Sequence, residues 1–235
     1  MDITDPKFLE FIGFMIGDGC ILWYPQHRVY GIEICGHATD DRQYFERMAA
    51  FIEVYTSKKV RLERRAAKSA GNSIRIVQYN KSFARYLVSE IGLLHDNKTK
   101  NAQIPQKLLA WEYSQHIMRG IFEADGCIFF SKSKVIPFPS YPRMEITTVS
   151  TVLATQLYEL LTQQGFRAQK KRYDNKGVET YVVYVSGPEQ LEEWVTRIGF
   201  SSERHVSKYQ MWKKFKYYIP NLTLTERQAL LNAQV

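Results

Sequence analysis

Two periods of hydrophobicity alternate along the chain. Phe8, Leu9, Phe11, Ile12, Phe14, Met15 and Ile16 make an apolar run of helical length, opened by Asp5-Pro6, an N-cap acceptor followed by proline at the first helical position. Residues 20–24 and 30–35 are short, rich in β-branched and aromatic side chains and separated by Pro25-Gln26-His27, which predicts a hairpin. Asp40 or Asp41 caps a helix carrying Tyr44, Phe45, Met48 and Phe51, and residues 59–65 and 73–78 read as two more strands. Asn80 then opens a helix over 83–91 that ends at Gly92.

After a polar segment at 95–101 and Pro105, read as a linker, the same order returns. Residues 127–131 and 143–149 form a hairpin with a longer, proline-containing loop, 152–161 a helix, 168–173 and 179–186 strands, and 191–198 a helix ending at Gly199. The segments 209–219 and 223–233 have no counterpart in the first half and read as helices covering the second. The expected organisation is a first half over 1–100, a linker over 101–112 and a second half with a helical extension over 113–235.

One stretch occurs twice. Phe11-Ile-Gly-Phe-Met-Ile-Gly-Asp-Gly-Cys-Ile21 and Met118-Arg-Gly-Ile-Phe-Glu-Ala-Asp-Gly-Cys-Ile128 both place two small residues four apart, then Asp-Gly-Cys-Ile. The aspartates are 107 residues apart, Gly92 and Gly199 also 107, and the second-strand pairs beginning at Glu33 and Glu145 are 112 apart. One loop insertion reconciles these offsets, so the chain reads as two copies of an αββαββα unit. The fold class expected is α+β: two pseudo-twofold-related units, each a four-stranded antiparallel sheet with helices on one face, the motif helices packed at the interface.

Glycine inside a helix costs ~1 kcal/mol against alanine, and close approach of two backbones is the usual return. Such packing sets Asp18 beside Asp125 at two helix C-termini, where they repel by roughly 3 kcal/mol at ~5 Å and an effective dielectric of 20. A divalent cation, a shared proton or separation relieves this. A net charge of +8 and a pI near 9.3 favour a polyanionic partner. Paired carboxylates on a basic surface suit metal-assisted phosphodiester hydrolysis, with Mg²⁺ (or Mn²⁺) as the hard cation. Three cysteines without a C-x-x-C pair suggest neither a disulfide framework nor a zinc site, and the five histidines show no ligand spacing. No stretch reaches the ~18 apolar residues of a membrane helix. The chain is therefore expected to be soluble and intracellular, in cytoplasm or nucleoid, or in an organelle if its gene is organellar.

Phe11 to Gly19 and Met118 to Gly126 resemble the two motifs of single-chain LAGLIDADG homing endonucleases, and the resemblance extends over residues 6 to about 215. It implies that Asp18 and Asp125 are catalytic and bind the metals, with Gly17 and Ala124, the residues before them, in the same metal site. The earlier acidic position of the motif is Glu123 in the second copy and Ile16 in the first, and Arg119 replaces a small apolar residue, so the two halves of the site are expected to differ. A basic residue near the scissile phosphate is implied by the family, and Lys98 and Lys208 are the candidates.

Strand alternation names a DNA surface on the open sheet faces. In the first half it comprises Arg28, Glu33, Lys59, Arg61, Glu63, Arg65 and Arg75, with Arg42 just after the second strand. In the second it comprises Arg143, Glu145, Gln169, Lys171, Tyr173, Thr180 and Tyr184. Arg and Lys suit guanine edges, Gln suits adenine, and Glu33 or Glu145 can accept from cytosine N4. The function expected is a monomeric, site-specific double-strand DNA endonuclease acting on a long asymmetric target, leaving short 3′ overhangs and encoded within an intron or intein. The alternatives are an RNA maturase binding intron RNA and a non-catalytic DNA-binding regulator.

Overall fold

The Asp5 carboxylate accepts from the Lys7 amide, and with Pro6 behind it helix α1 (Pro6–Ile16) starts where the sequence predicts. In the computed structural model, which describes residues 2–64, 72–132 and 137–233, α1 runs straight into the hairpin β1 (Gly19–Tyr24) and β2 (Val29–His37). Helix α2 (Arg42–Thr56), strands β3 (Leu62–Arg64) and β4 (Ser73–Tyr79), and α3 (Lys81–Arg85), which continues as a π-helical turn over Tyr86–Ile91, complete the first unit. A single turn, α4 (Lys98–Asn101), follows. The second unit is α5 (Trp111–Asp125), β5 (Gly126–Lys132), β6 (Pro139–Thr148), α6 (Thr151–Gln163), β7 (Gln169–Asn175), β8 (Val178–Ser186) and α7 (Pro188–Arg197), with α8 (Glu203–Phe215) and α9 (Leu224–Asn232) beyond it.

The two antiparallel sheets have the same topology, β1-β2-β4-β3 and β5-β6-β8-β7, as a true internal repeat requires. Ile21, Ile32, Ile34, Ile74 and Ile76 are buried toward the helices, and so are Ile128, Met144, Ile146, Val183 and Val185 in the second sheet. Their strand neighbours point to the opposite face of each sheet. Gly92 and Gly199, at φ +93° and +80°, end their helices in the left-handed region that glycine adopts without cost.

Helices α1 and α5 pack along their small residues. A Cβ on Gly13 would stand 1.9 Å from the Ile117 carbonyl oxygen, and one on Gly120 would stand 1.9 Å from that of Glu10, so the backbones themselves are in contact. Next to this seam Arg119 Nε donates to Glu10 Oε2 at 2.8 Å in a largely buried ion pair. The polar substitution at Arg119 thus becomes a charged tie between the units.

The link between the halves is sewn down. Gln156 of α6 accepts from the Ile104 amide (2.8 Å) and donates to its carbonyl (2.9 Å), while Ser150 Oγ donates to the Ala102 carbonyl at 2.6 Å. Ala102, Ile104 and Leu108 are buried. Several boundaries differ from expectation; β6, for one, begins at Pro139 rather than at 143. The paired part of β3 is shorter than 59–65, since Lys59 and Arg61 precede it. The helix expected at 209–219 begins at Glu203 instead, because its polar first turn finds partners far away in sequence.

Candidate active site

The two motifs end alike but not identically. Helix α1 stops at Ile16 and Gly17-Asp18 turns into β1, whereas α5 runs through Asp125 and β5 follows at once. The glycines after the aspartates serve tight packing rather than an unusual backbone: a Cβ on Gly19 would lie 2.5 Å from Met15 Cα, and one on Gly126 would lie 2.4 Å from the Phe122 carbonyl oxygen. At Gly17 a Cβ would meet Ala124 Cβ at 2.5 Å and Asp125 Oδ2 at 2.9 Å. The bare glycine therefore lets the Asp125 carboxylate lie against the turn that carries Asp18.

Both aspartates line a cleft of about 350 Å³ with Lys98, Thr99, Thr147 and Thr148. Asp18 opens to solvent and Asp125 is half-buried. Desolvation, reinforced by the Asp18 charge, pushes Asp125 up to about 7 even with Lys98 nearby. Asp18 is also raised by the protein around it, opposed by Lys98 and Arg204 and helped by Asp41. Lys98 Nζ donates to the carbonyls of Met15 (3.3 Å), Gly17 (2.5 Å) and Gly19, so all three of its donors hold the frayed end of α1. Burial lowers its pKa while Asp125 and Asp18 favour its charge. The Gly17 carbonyl is thus already an acceptor for Lys98, and Ala124 is the wedge that Gly17 accommodates.

Among the described residues, no three His, Cys, Asp or Glu side chains converge. A cation between Asp18 and Asp125 would take the rest of its ligands from water, carbonyl or substrate oxygens. Two carboxylates in one open cleft, both raised by their surroundings, fit a hard divalent ion that keeps part of its hydration.

The second half differs at the next layer. Glu123 is buried and accepts from the Ser201 amide at 2.6 Å and from His205 Nδ1 at 3.0 Å. Although burial opposes its charge, His205, Ser202 and the Ser201 amide hold it at about 2. Burial keeps His205 below its ordinary value despite Glu123. His205 stands as far beyond Gly199 as Lys98 beyond Gly92, so the position that is an active-site lysine in one half is a core histidine in the other. Arg204, which sequence reading did not single out, donates to the Glu123 carbonyl at 2.7 Å, lies 3.6 Å from Asp41 Oδ1, and is the second cation acting on Asp18. Its role depends on a long-range contact that no local pattern encodes. Lys208 lies in a neighbouring recess, where its Nζ donates to the Ile128 carbonyl at 3.1 Å.

On the open face of the first sheet Arg75 lies 3.0 Å from Glu63 and 3.6 Å from Glu33. Lys59 and Arg61 are exposed beside it, Arg28 is exposed at the hairpin turn, and Arg42 pairs with Glu46 at the start of α2. Arg65 lies outside the described residues. On the second sheet Gln169, Lys171 and Tyr173 are exposed and Thr180 is half-buried. Tyr184 shares that face but is buried: Arg143 covers its ring at 4.0 Å, and its hydroxyl donates to Gln169 Oε1 at 2.5 Å. Arg143 also approaches Glu145 at 3.7 Å. Cations and carboxylates on this surface are thus paired with each other and available for exchange.

Residues 112–199 match the family model described as a LAGLIDADG-like domain. The chain has the fold of single-chain homing endonucleases of that kind. It superposes on I-DmoI in complex with DNA and Mn with a TM-score of 0.57 at 15% identity, covering 85% of this chain and 99% of that one. It superposes on the I-LtrWI LAGLIDADG homing endonuclease bound to target DNA with a TM-score of 0.55 at 12% identity, covering 90% of each. Among curated proteins it is 25% identical over 200 residues to a replication factor C small subunit of Thermococcus kodakarensis, covering 85% of this chain and 20% of that protein. It is 23% identical over 225 residues to a replicative DNA helicase DnaB of Synechocystis, covering 85% and 22%. The chain spans about a fifth of the length of these curated relatives.

Proposed function

We propose that this chain, with a LAGLIDADG-like second half and the two-unit fold of the homing endonucleases, is a site-specific DNA endonuclease that cuts both strands of a long asymmetric duplex. The observation that carries the reading is the meeting of Asp18 and Asp125 at the end of a backbone-to-backbone helix seam, on a protein of net charge +8. The two carboxylates would hold Mg²⁺ or Mn²⁺, which when bound activates water and stabilises charge developing on phosphate oxygens. Lys98 fixes the turn that presents Asp18, and Arg204 adds positive potential there. The two sheet faces supply different side chains to the two half-sites, which supports an asymmetric target. Glu33, Arg75, Arg143, Glu145, Gln169 and Lys171 are the base-reading candidates, and release of their mutual pairing on DNA would favour the correct sequence over others. Cleavage with short 3′ overhangs by a monomer, in the compartment that holds the DNA, completes the reading. A module matching about a fifth of each of two differently named proteins suits a reading frame inserted into host genes.

Purified protein with Mg²⁺ should linearise a plasmid carrying the uninterrupted host allele. Asp18→Asn or Asp125→Asn should abolish double-strand cutting while binding in Ca²⁺ persists. Tight binding with intact plasmid would leave a DNA-binding regulator, and full cutting by either variant would move the metal site elsewhere.

A further inference from the structure

The recess that holds Lys208 lies where the second half departs from the first. The fold position occupied there by the single turn α4 is occupied here by the thirteen-residue α8, and α9 packs on it. The recess, about 400 Å³, is walled by β5, by the loop before α9 and by Asp40 from the first unit. Three cations converge in it: Arg204, Lys208 and Arg227. Asp40 is the one carboxylate among the lining residues.

None of the three is saturated. Arg227 is buried and donates from Nε to Ser207 Oγ (2.9 Å) and from Nη1 to the Leu222 carbonyl (2.6 Å). Lys208 gives one of its three donors to the Ile128 carbonyl, and Arg204 donates from Nη2 to the Glu123 carbonyl while its buried Nε faces Asp41 at 3.6 Å, beyond hydrogen-bond reach, leaving Nη1 without a partner among the described residues. The Lys208 ammonium is disfavoured first by burial and then by Arg227 and Arg204, with Cys127 and Asp40 opposing. Like charges gathered on unsatisfied donors are relieved by an anion. Cys127 and Phe129, which also line the recess, alternate with the buried Ile128 and so belong to the open face of the second sheet.

We propose that Arg204, Lys208 and Arg227 form a seat for one backbone phosphate of the bound DNA, beside the cleavage centre rather than at the cleaved bond. The inference rests on the endonuclease reading. It makes Lys208 a positioning residue and gives α8 and α9 a function, since they add a phosphate anchor to the second half-site alone.

The test is binding and single-turnover cleavage by wild type, Lys208→Gln and Lys208→Arg on the host-allele duplex, with melting temperatures checked for each. One phosphate contact contributes about 0.9 to the slope of log K against log salt. Lys208→Gln should therefore lower the slope by about 0.9, so that between 50 and 200 mM salt the wild type loses about 3.5-fold more affinity than the variant does. Lys208→Arg should restore the slope, and the loss should appear in Kd rather than in the rate at saturating protein. An unchanged slope and Kd would overturn the seat. So would a rate at saturation that collapses while Kd holds. A wild type that neither binds nor cuts the duplex refutes the endonuclease reading itself, which is a separate outcome.

Discussion

Replacing Gly120 with alanine sets two opposed effects against each other. In a free helix the change stabilises by ~1 kcal/mol through propensity. Here the new methyl would lie 1.9 Å from the Glu10 carbonyl oxygen and 2.7 Å from the Phe14 amide nitrogen, both backbone atoms that no rotamer change can move. Reaching an ordinary contact of 3.4 Å requires α1 and α5 to separate by about 1.5 Å at that point, which belongs at the upper end of the ~1–3 kcal/mol cost of overpacking. The clash wins, and a net loss of about 2 kcal/mol lowers the melting temperature by about 4–8 °C in a chain of this size. Gly13→Ala should behave alike, because its methyl would meet the Ile117 carbonyl at the same 1.9 Å. Calorimetry of both variants checks the stability, and cleavage at saturating Mg²⁺ should fall as well, since the same separation draws Asp125 away from the Asp18 turn. A melting temperature raised by about 2–4 °C, the propensity effect alone, would refute the seam.

Other outcomes concern protons. Asp125, held at about 7, and Asp18, also raised, bind protons more tightly folded than unfolded. That stability is complete at acidic pH below their unfolded values and is lost as pH rises toward 7, so the metal-free protein should melt lower at pH 7.5 than at pH 5.5. Added Ca²⁺ should raise the melting temperature more at pH 7.5, and equal shifts at both pH values would argue against the pair as the metal site. Glu123, held at about 2, has the opposite sign: its contribution is present above about 4.5 and lost as pH falls toward 2. Glu123→Gln strands His205 and the Ser201 amide and should cost about 3 kcal/mol by urea unfolding at neutral pH. A cost below about 1 kcal/mol would show that this network is not structural.

The repeated stretch carries most of what the sequence discloses. Small residues at matched helical positions led to the α1·α5 contact, the landmark offsets led to two sheets of one topology, and alternation assigned Arg75 to the open face, between the buried Ile74 and Ile76. Long-range partnerships stay hidden in it. Nothing local marks His205 as the partner of Glu123, or Arg204 as a cation near Asp18, because those contacts span about eighty residues or join the two units. Tyr184 obeys the alternation rule and is still buried, since alternation gives the face and not what Arg143 and Gln169 lay over it. The residues at 101–112 read as a connector for the same reason: Gln156 and Ser150, which bind it, come from α6 and its N-cap.

The Glu10–Arg119 pair bears on how a duplicated chain avoids mispairing. Two similar halves on one polypeptide invite exchange, in which the first helix of one molecule lies on the first helix of another. By the 107-residue offset, the position across from Glu10 would then hold Ile12, and in a union of two second halves Arg119 would face Ile117. Each homotypic union buries a charge against an aliphatic side chain, a penalty of several kcal/mol. Only the union of unlike halves neutralises both charges. A single ion pair therefore gives the seam a sense of kin, favouring the intramolecular embrace over a swapped assembly.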